Sequence, residues 1–387
     1  MPNKIQYICV RKHRDNQDKK LSPYFPSLGH KNICYIPANC IYWLYMTKEN
    51  THSHAADGYA NIRGFDNKTA AYSFLMLMFV IILFSVFIGA LNEGGRLDTD
   101  NFWVGICLKA IQYALLLGVF VLVCRQSRIG SKAVFEQVWL ARPDNGKTAH
   151  GDKDRTESGM VLPDDAKKIR LVNVCIVVLL SGLCIAGFIL VTAAFGELFK
   201  IFGYNESAGG MTMDTAWKYL AAVAVSAILP AIIEELIFRG IILRGFLPLG
   251  TGTAVAASAV LFSLFHLSPG QTVFQFVLGV VLALVVLRTG KLVYAMILHF
   301  INNFSILTYT YIAGDVTLLL EWNVVTVAIT VVLAVVSILF IRELLGKLKT
   351  NDNPKIPAKS QKFWNFDNFG YFICVALAGM IWLLAFV

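Results

Sequence analysis

The chain is a series of long apolar runs separated by short breaks rich in glycine or charge, and within each run the apolar residues are continuous rather than alternating. Runs of this kind extend from about Ala70 to Leu91, Phe102 to Cys124, Leu171 to Phe199 and Ala216 to Leu243. A shorter run ends at Phe262–Leu267, before a Ser268-Pro269-Gly270 turn. Four more follow, at about Gln271 to Leu287, Leu292 to Ile312, Trp322 to Ile341 and Phe369 to Val387. Most approach or exceed the ~20 residues a helix needs to cross a hydrocarbon core. The two-residue alternation of a membrane β-barrel is missing. The expected fold class is therefore all-α, a polytopic transmembrane helical bundle of about eight or nine spans. Residues 250–260, rich in Gly, Ala, Thr and Ser, suit close helix approach. Pro230 removes the helical partner of the Ser226 carbonyl and predicts a kink one turn before Glu234.

The polar stretches set the organisation. Residues 1–69 form a basic arm without the grammar of a signal peptide. Its apolar patch at 33–45 is short and broken by Pro37, so the arm is expected to be cytoplasmic and accessory or disordered, with Met46 an alternative start. Two spans (70–124) precede a basic linker (125–170) that carries a short interfacial helix near Phe135–Leu140. A membrane core (171–345), a second basic linker (346–368) and a last span (369–387) complete the chain.

Composition agrees: 56% of residues are hydrophobic and the mean hydropathy is +0.61, beyond what a soluble protein of this length carries. The net charge of +9 concentrates in the arm and in residues 125–170 and 342–362. That is the distribution of loops held in the cytoplasm, and it argues against nucleic-acid binding. The break at 93–101, with Glu93, Asp98 and Asp100 against Arg96, suits the opposite face. A multi-pass protein of a bacterial cell membrane, nine-span with its N-terminus cytoplasmic, satisfies the alternation. Of the eight cysteines, five lie in or beside apolar runs and three (Cys9, Cys34, Cys40) in the arm with four histidines. The arm lacks a Cys-x-x-Cys pair, so a zinc module is weakly supported there, and a cytoplasmic arm disfavours disulfides.

Against this background, Glu234, Glu235 and Arg239 inside one span are costly, at least roughly 2.5–3.5 kcal/mol per charge near the bilayer centre. Adjacent helix residues point about 100° apart, so the two glutamates serve different roles. Glu235 and Arg239, at i and i+4, are placed to form an ion pair, which leaves Glu234 as the unpaired acid. Phe262 and His266 share one face of the short fifth run, and His299 and Asn303 one face of the seventh. Each pair alone is compatible with helix packing, but together they imply a buried polar site. A strained nucleophile elbow, a Ser-Lys pair and a His-Glu-x-x-His motif are all missing. An acid with a histidine can activate water while a second histidine and an amide stabilise an oxyanion. Alternatively Glu234, His266 and His299 ligate zinc. Both routes lead to amide hydrolysis.

Glu-Glu-x-x-x-Arg (234–239), Phe-x-x-x-His (262–266) and His-x-x-x-Asn (299–303), in that order, resemble the three motifs of the CPBP family. These are the CAAX protease and bacteriocin-processing membrane proteins, also called the ABI family. Phe-Arg-Gly (238–240) and Arg-Thr-Gly (288–290) agree, and the likeness spans about Ala216 to Tyr311. It implies an intramembrane endopeptidase in which Glu234 activates water with His266. His299 and Asn303 would form the oxyanion hole, supported by Glu235, Arg239 and Phe262. The family has been described both as zinc-dependent and as metal-free. Implied partners are the lipid bilayer and a peptide or protein substrate, either lipidated or a bacteriocin precursor. The rival expectation is a non-catalytic self-immunity or scaffold protein. A proton-coupled transporter is disfavoured because the chain shows no internal repeat.

Overall fold

A computed structural model describes residues 66–127, 163–204, 213–313, 323–348 and 369–386. Most of the arm, the interfacial helix expected near 135–140 and most of both basic linkers lie outside these residues. So does the cysteine- and histidine-bearing segment considered for zinc.

All regular structure among the described residues is helical. In chain order the helices are α1 (Asn67–Glu93), α2 (Phe102–Gln126), α3 (Pro163–Lys200), α4 (Ala216–Leu249), α5 (Thr251–Phe265), α6 (Thr272–Thr289), α7 (Leu292–Ala313), α8 (Val324–Lys347) and α9 (Phe369–Leu383). Seven are long and apolar enough to cross a membrane, whereas α5 and α9 are shorter. At about 1.5 Å per residue the 15 residues of α5 rise only ~22 Å, less than the ~30 Å of a hydrocarbon core. The polytopic helical bundle read from the sequence is thus the observed architecture. The third helix starts at Pro163, eight residues before the apolar run begins at Leu171. Proline's fixed φ suits a first helical turn, so the helix extends past its membrane-soluble part.

The ends are set by local chemistry. Asp66, Asn101, Thr215 and Asn323 cap α1, α2, α4 and α8 by accepting backbone N–H groups of the first turn. Gly290, at φ 69°, closes α6 in the left-handed conformation that glycine adopts without strain.

α4 is the buried centre and runs against α1, α2, α5, α6 and α7. It is not uniform: π-helical turns at Ala224–Ile228 and Phe238–Ile242 flank the α-helical segment Leu229–Ile237. The first π turn lies immediately before Pro230, so the disruption expected there takes the form of a widened turn. The segment between the two π turns carries both glutamates.

α5 and α6 pack closely around Gly279, where an added Cβ would stand 3.2 Å from the Ala259 Cα and 3.3 Å from the Phe262 ring. Glycine there allows the approach that sets Phe262 in place. α3 and α8 form a lateral pair, and α8 turns Val324, Val331, Val332, Leu339 and Phe340 outward. In an aqueous protein such a face would be a liability; in a bilayer it is the lipid contact.

Candidate active site

The two glutamates of α4 part company as their helical positions require. Glu235 is fully buried, and its Oε1 accepts from Arg239 Nη1 at 2.8 Å. The same oxygen is 2.9 Å from His299 Nδ1 of α7. The ion pair expected within α4 therefore forms, and it also holds the histidine of another helix. Arg239, itself fully buried, donates to the Gly279 carbonyl at 3.2 Å and lies over the Phe262 ring at 4.2 Å. Phe262 makes further edge contacts with His266 and His299, at 4.9 and 5.8 Å between ring centres. One aromatic ring thus packs against the cation and both imidazoles.

Glu234, 3% exposed, faces the other way. The expectation of an acid without a partner is corrected on one oxygen. Tyr113 of α2 donates its hydroxyl to Glu234 Oε1 at 3.0 Å. The other oxygen, Oε2, is buried without a hydrogen-bond partner and lies 3.9 Å from His299 Nε2.

Glu234 lines a cavity of about 510 Å³ together with His266, Asn303, Tyr113 and Lys109. His266 follows the last residue of α5, and Leu267 after it adopts a positive φ of 52°, a sparsely populated conformation for leucine. The sharp turn is pinned by Ser263 Oγ donating to the Thr272 carbonyl at 2.6 Å. His266 Nδ1 lies 2.8 Å from the Phe262 carbonyl, which only accepts, so Nδ1 carries the proton and the neutral ring presents the Nε2 lone pair. Asn303 Oδ1 accepts from Asn302 Nδ2 at 3.4 Å, which leaves the Asn303 amide N–H groups free to donate. His299 is not among the residues lining the cavity; it lies between the two glutamates.

Glu234, His266 and Asn303 thereby line one cavity, with His299, Glu235, Arg239 and Phe262 behind them. Among the described residues no three of His, Cys, Asp and Glu are grouped closely enough to hold a metal ion as they stand. No step is therefore routed through one.

Several contributors were not singled out from the sequence. Tyr113, Lys109 and Asn302 each carried a signal, since a lone lysine in the second apolar run and a second carboxamide beside Asn303 are both costly in a membrane. Lys109 and Tyr113 are also i and i+4, on one face of α2.

Residues 216–305 match the model of a family described as Rce1-like, type II CAAX prenyl endopeptidase Rce1-like. No curated protein and no solved structure matches the chain.

Proposed function

We propose that Glu234 is the general base of an endopeptidase reaction in the cavity, a reading supported by the match of residues 216–305 to the CAAX prenyl endopeptidase model. The observation that carries this assignment is Glu234 Oε2, a buried carboxylate oxygen with no protein partner, on a residue that lines the cavity with His266 and Asn303. Tyr113 occupies the other oxygen and fixes the carboxylate plane. A water between Glu234 Oε2 and His266 Nε2 gives a proton to the carboxylate as its oxygen bonds to the scissile carbonyl carbon. The resulting oxyanion takes a hydrogen bond from Asn303 Nδ2. The carbon–nitrogen bond then breaks as the proton passes to the leaving amine. His299, fixed through Nδ1 by Glu235, presents Nε2 toward Glu234 and positions it. These steps use protein side chains and water alone.

The substrate class is a membrane-associated protein or peptide, cut near a C-terminus that is lipidated, or a bacteriocin precursor. Orientation follows from charge. The cavity residues Lys109, Gln112, Ser226, Gln271 and Thr310 lie toward the helix ends joined by 93–101, 200–215 and 314–322. The basic stretches 125–170 and 342–362 join the opposite ends. Positive-inside insertion puts the N-terminus in the cytoplasm and the cavity in the non-cytoplasmic half.

The test is peptide cleavage by purified protein in liposomes. Glu234→Gln is expected to lower kcat by about 10²–10⁴-fold, the range for a lost general base, while the protein remains folded. A fully active Glu234→Gln enzyme would refute the assignment.

A further inference from the structure

Among the described residues, two buried side-chain oxygens without a hydrogen-bond partner belong to side chains that line the catalytic cavity: Glu234 Oε2 and Gln275 Oε1. The first is the base of the mechanism above; the second has no part in it. Gln275 stands in the first turn of α6 and is 9% exposed. Gln271, one helical turn earlier and on the same face, lines the cavity as well.

Helix packing does not account for Gln275. It is the one hydrogen-bonding side chain between Val273 and Leu287 of α6, where methionine or leucine would fill similar space. A carboxamide oxygen buried in a membrane span without a partner is costly. Such an atom in a folded protein calls for something that completes it. Oε1 only accepts, so what it lacks is a donor. The terminal torsion of glutamine is broad, and a modest rotation re-aims the amide.

The cavity-lining side chains Tyr113, Lys109 and His266 bond elsewhere, to Glu234, Ser226 Oγ and the Phe262 carbonyl. The donor for Gln275 is therefore brought by the occupant of the cavity. A peptide carries one donor at every residue but proline, the backbone N–H, whatever its sequence. Resting on the hydrolase mechanism, we infer that Gln275 is a substrate-binding residue. Its Oε1 accepts a hydrogen bond from a backbone N–H of the bound peptide flanking the scissile bond. Gln275 thus holds the peptide main chain while Asn303 meets the reacting carbonyl. It reads no substrate side chain, and its oxygen stays unpaired until the peptide arrives.

The experiment uses the full chain in liposomes and a fluorogenic peptide carrying an S-farnesyl cysteine. A set of analogues replaces each non-scissile N–H near the cut, one at a time, by an ester oxygen. Glu234→Gln serves as the blank for spontaneous ester hydrolysis. In the wild type one ester is expected to lose about 3- to 10-fold in kcat/KM against the parent, the scale of one hydrogen bond. In Gln275→Met and Gln275→Leu the parent falls by a similar factor and that ester-to-parent ratio returns to about one. The other esters keep their wild-type ratios, and Gln275→Glu, which retains an acceptor, restores the selective loss. Each ratio is taken within one variant, so it does not depend on the folded fraction. Gln275→Met should also unfold at the same temperature as the wild type or higher, because it removes a buried orphan and breaks no hydrogen bond of Oε1. Ratios unchanged in both apolar variants, or a wild type indifferent to every ester, overturn the inference and leave the hydrolase mechanism standing. A less stable Gln275→Met with undiminished kcat/KM for the parent overturns it in favour of a structural role. A wild type that does not cleave the parent overturns both.

Discussion

Replacing Arg239 by methionine tests the charge network behind the site. The guanidinium is fully buried, and its three shortest contacts are Glu235 Oε1 at 2.8 Å, the Gly279 carbonyl at 3.2 Å and the Phe262 face at 4.2 Å. Methionine fills much of the volume but removes all three, and it leaves Glu235 buried with only His299 as partner. Breaking one side of a buried pair typically costs about 3–5 kcal/mol, most of it the stranded charge rather than the lost attraction. The Gly279 carbonyl and the ring contact are part of that cost, at about 1–3 and 0.5–2 kcal/mol. In Glu235→Gln with Arg239→Met no stranded charge remains, so the double variant should recover about 1–2 kcal/mol relative to Arg239→Met alone. Equilibrium unfolding in mixed micelles, read by tryptophan fluorescence, measures all four corners of the cycle. Arg239→Met within 1 kcal/mol of wild type, or a double variant less stable than either single one, would refute the reasoning. Either result would mean that water or lipid, not Arg239, compensates Glu235.

Other outcomes follow from the same geometry. Tyr113→Phe removes the donor to Glu234 Oε1 and should lower kcat about 10- to 100-fold with little change in KM, since the hydroxyl orients the base rather than the substrate. A chelator titration of the purified protein should leave the cleavage rate unchanged, and a rate restored only by added zinc would return catalysis to a metal. In a cysteine-free background, a single cysteine at Thr310 on the cavity wall should react with a membrane-impermeant thiol reagent added to intact cells. Labelling only after the membrane is opened would reverse the orientation.

The sequence by itself determined the features that depend on one segment at a time. Twenty-residue apolar runs specify membrane-crossing helices because unsatisfied backbone groups are too costly in hydrocarbon. The Glu235–Arg239 contact is legible because residues i and i+4 are neighbours on any α-helix. By the same geometry Glu234 and Glu235 had to face apart, and His299 and Asn303 had to share a face. What lies between helices was decided only by packing. That His299 reaches Glu235, that Phe262 sits under Arg239, and that α2 supplies Tyr113 and Lys109 depend on interhelical register and depth. Helical periodicity fixes which residues share a stripe, yet it carries no information on which neighbour that stripe will meet. The π turns around Leu229–Ile237 are a second tertiary decision, because they rotate the stripes of α4 away from the regular 3.6-residue pattern. The buried acid was visible in the chain; the tyrosine that holds it became visible only once α2 was laid against α4.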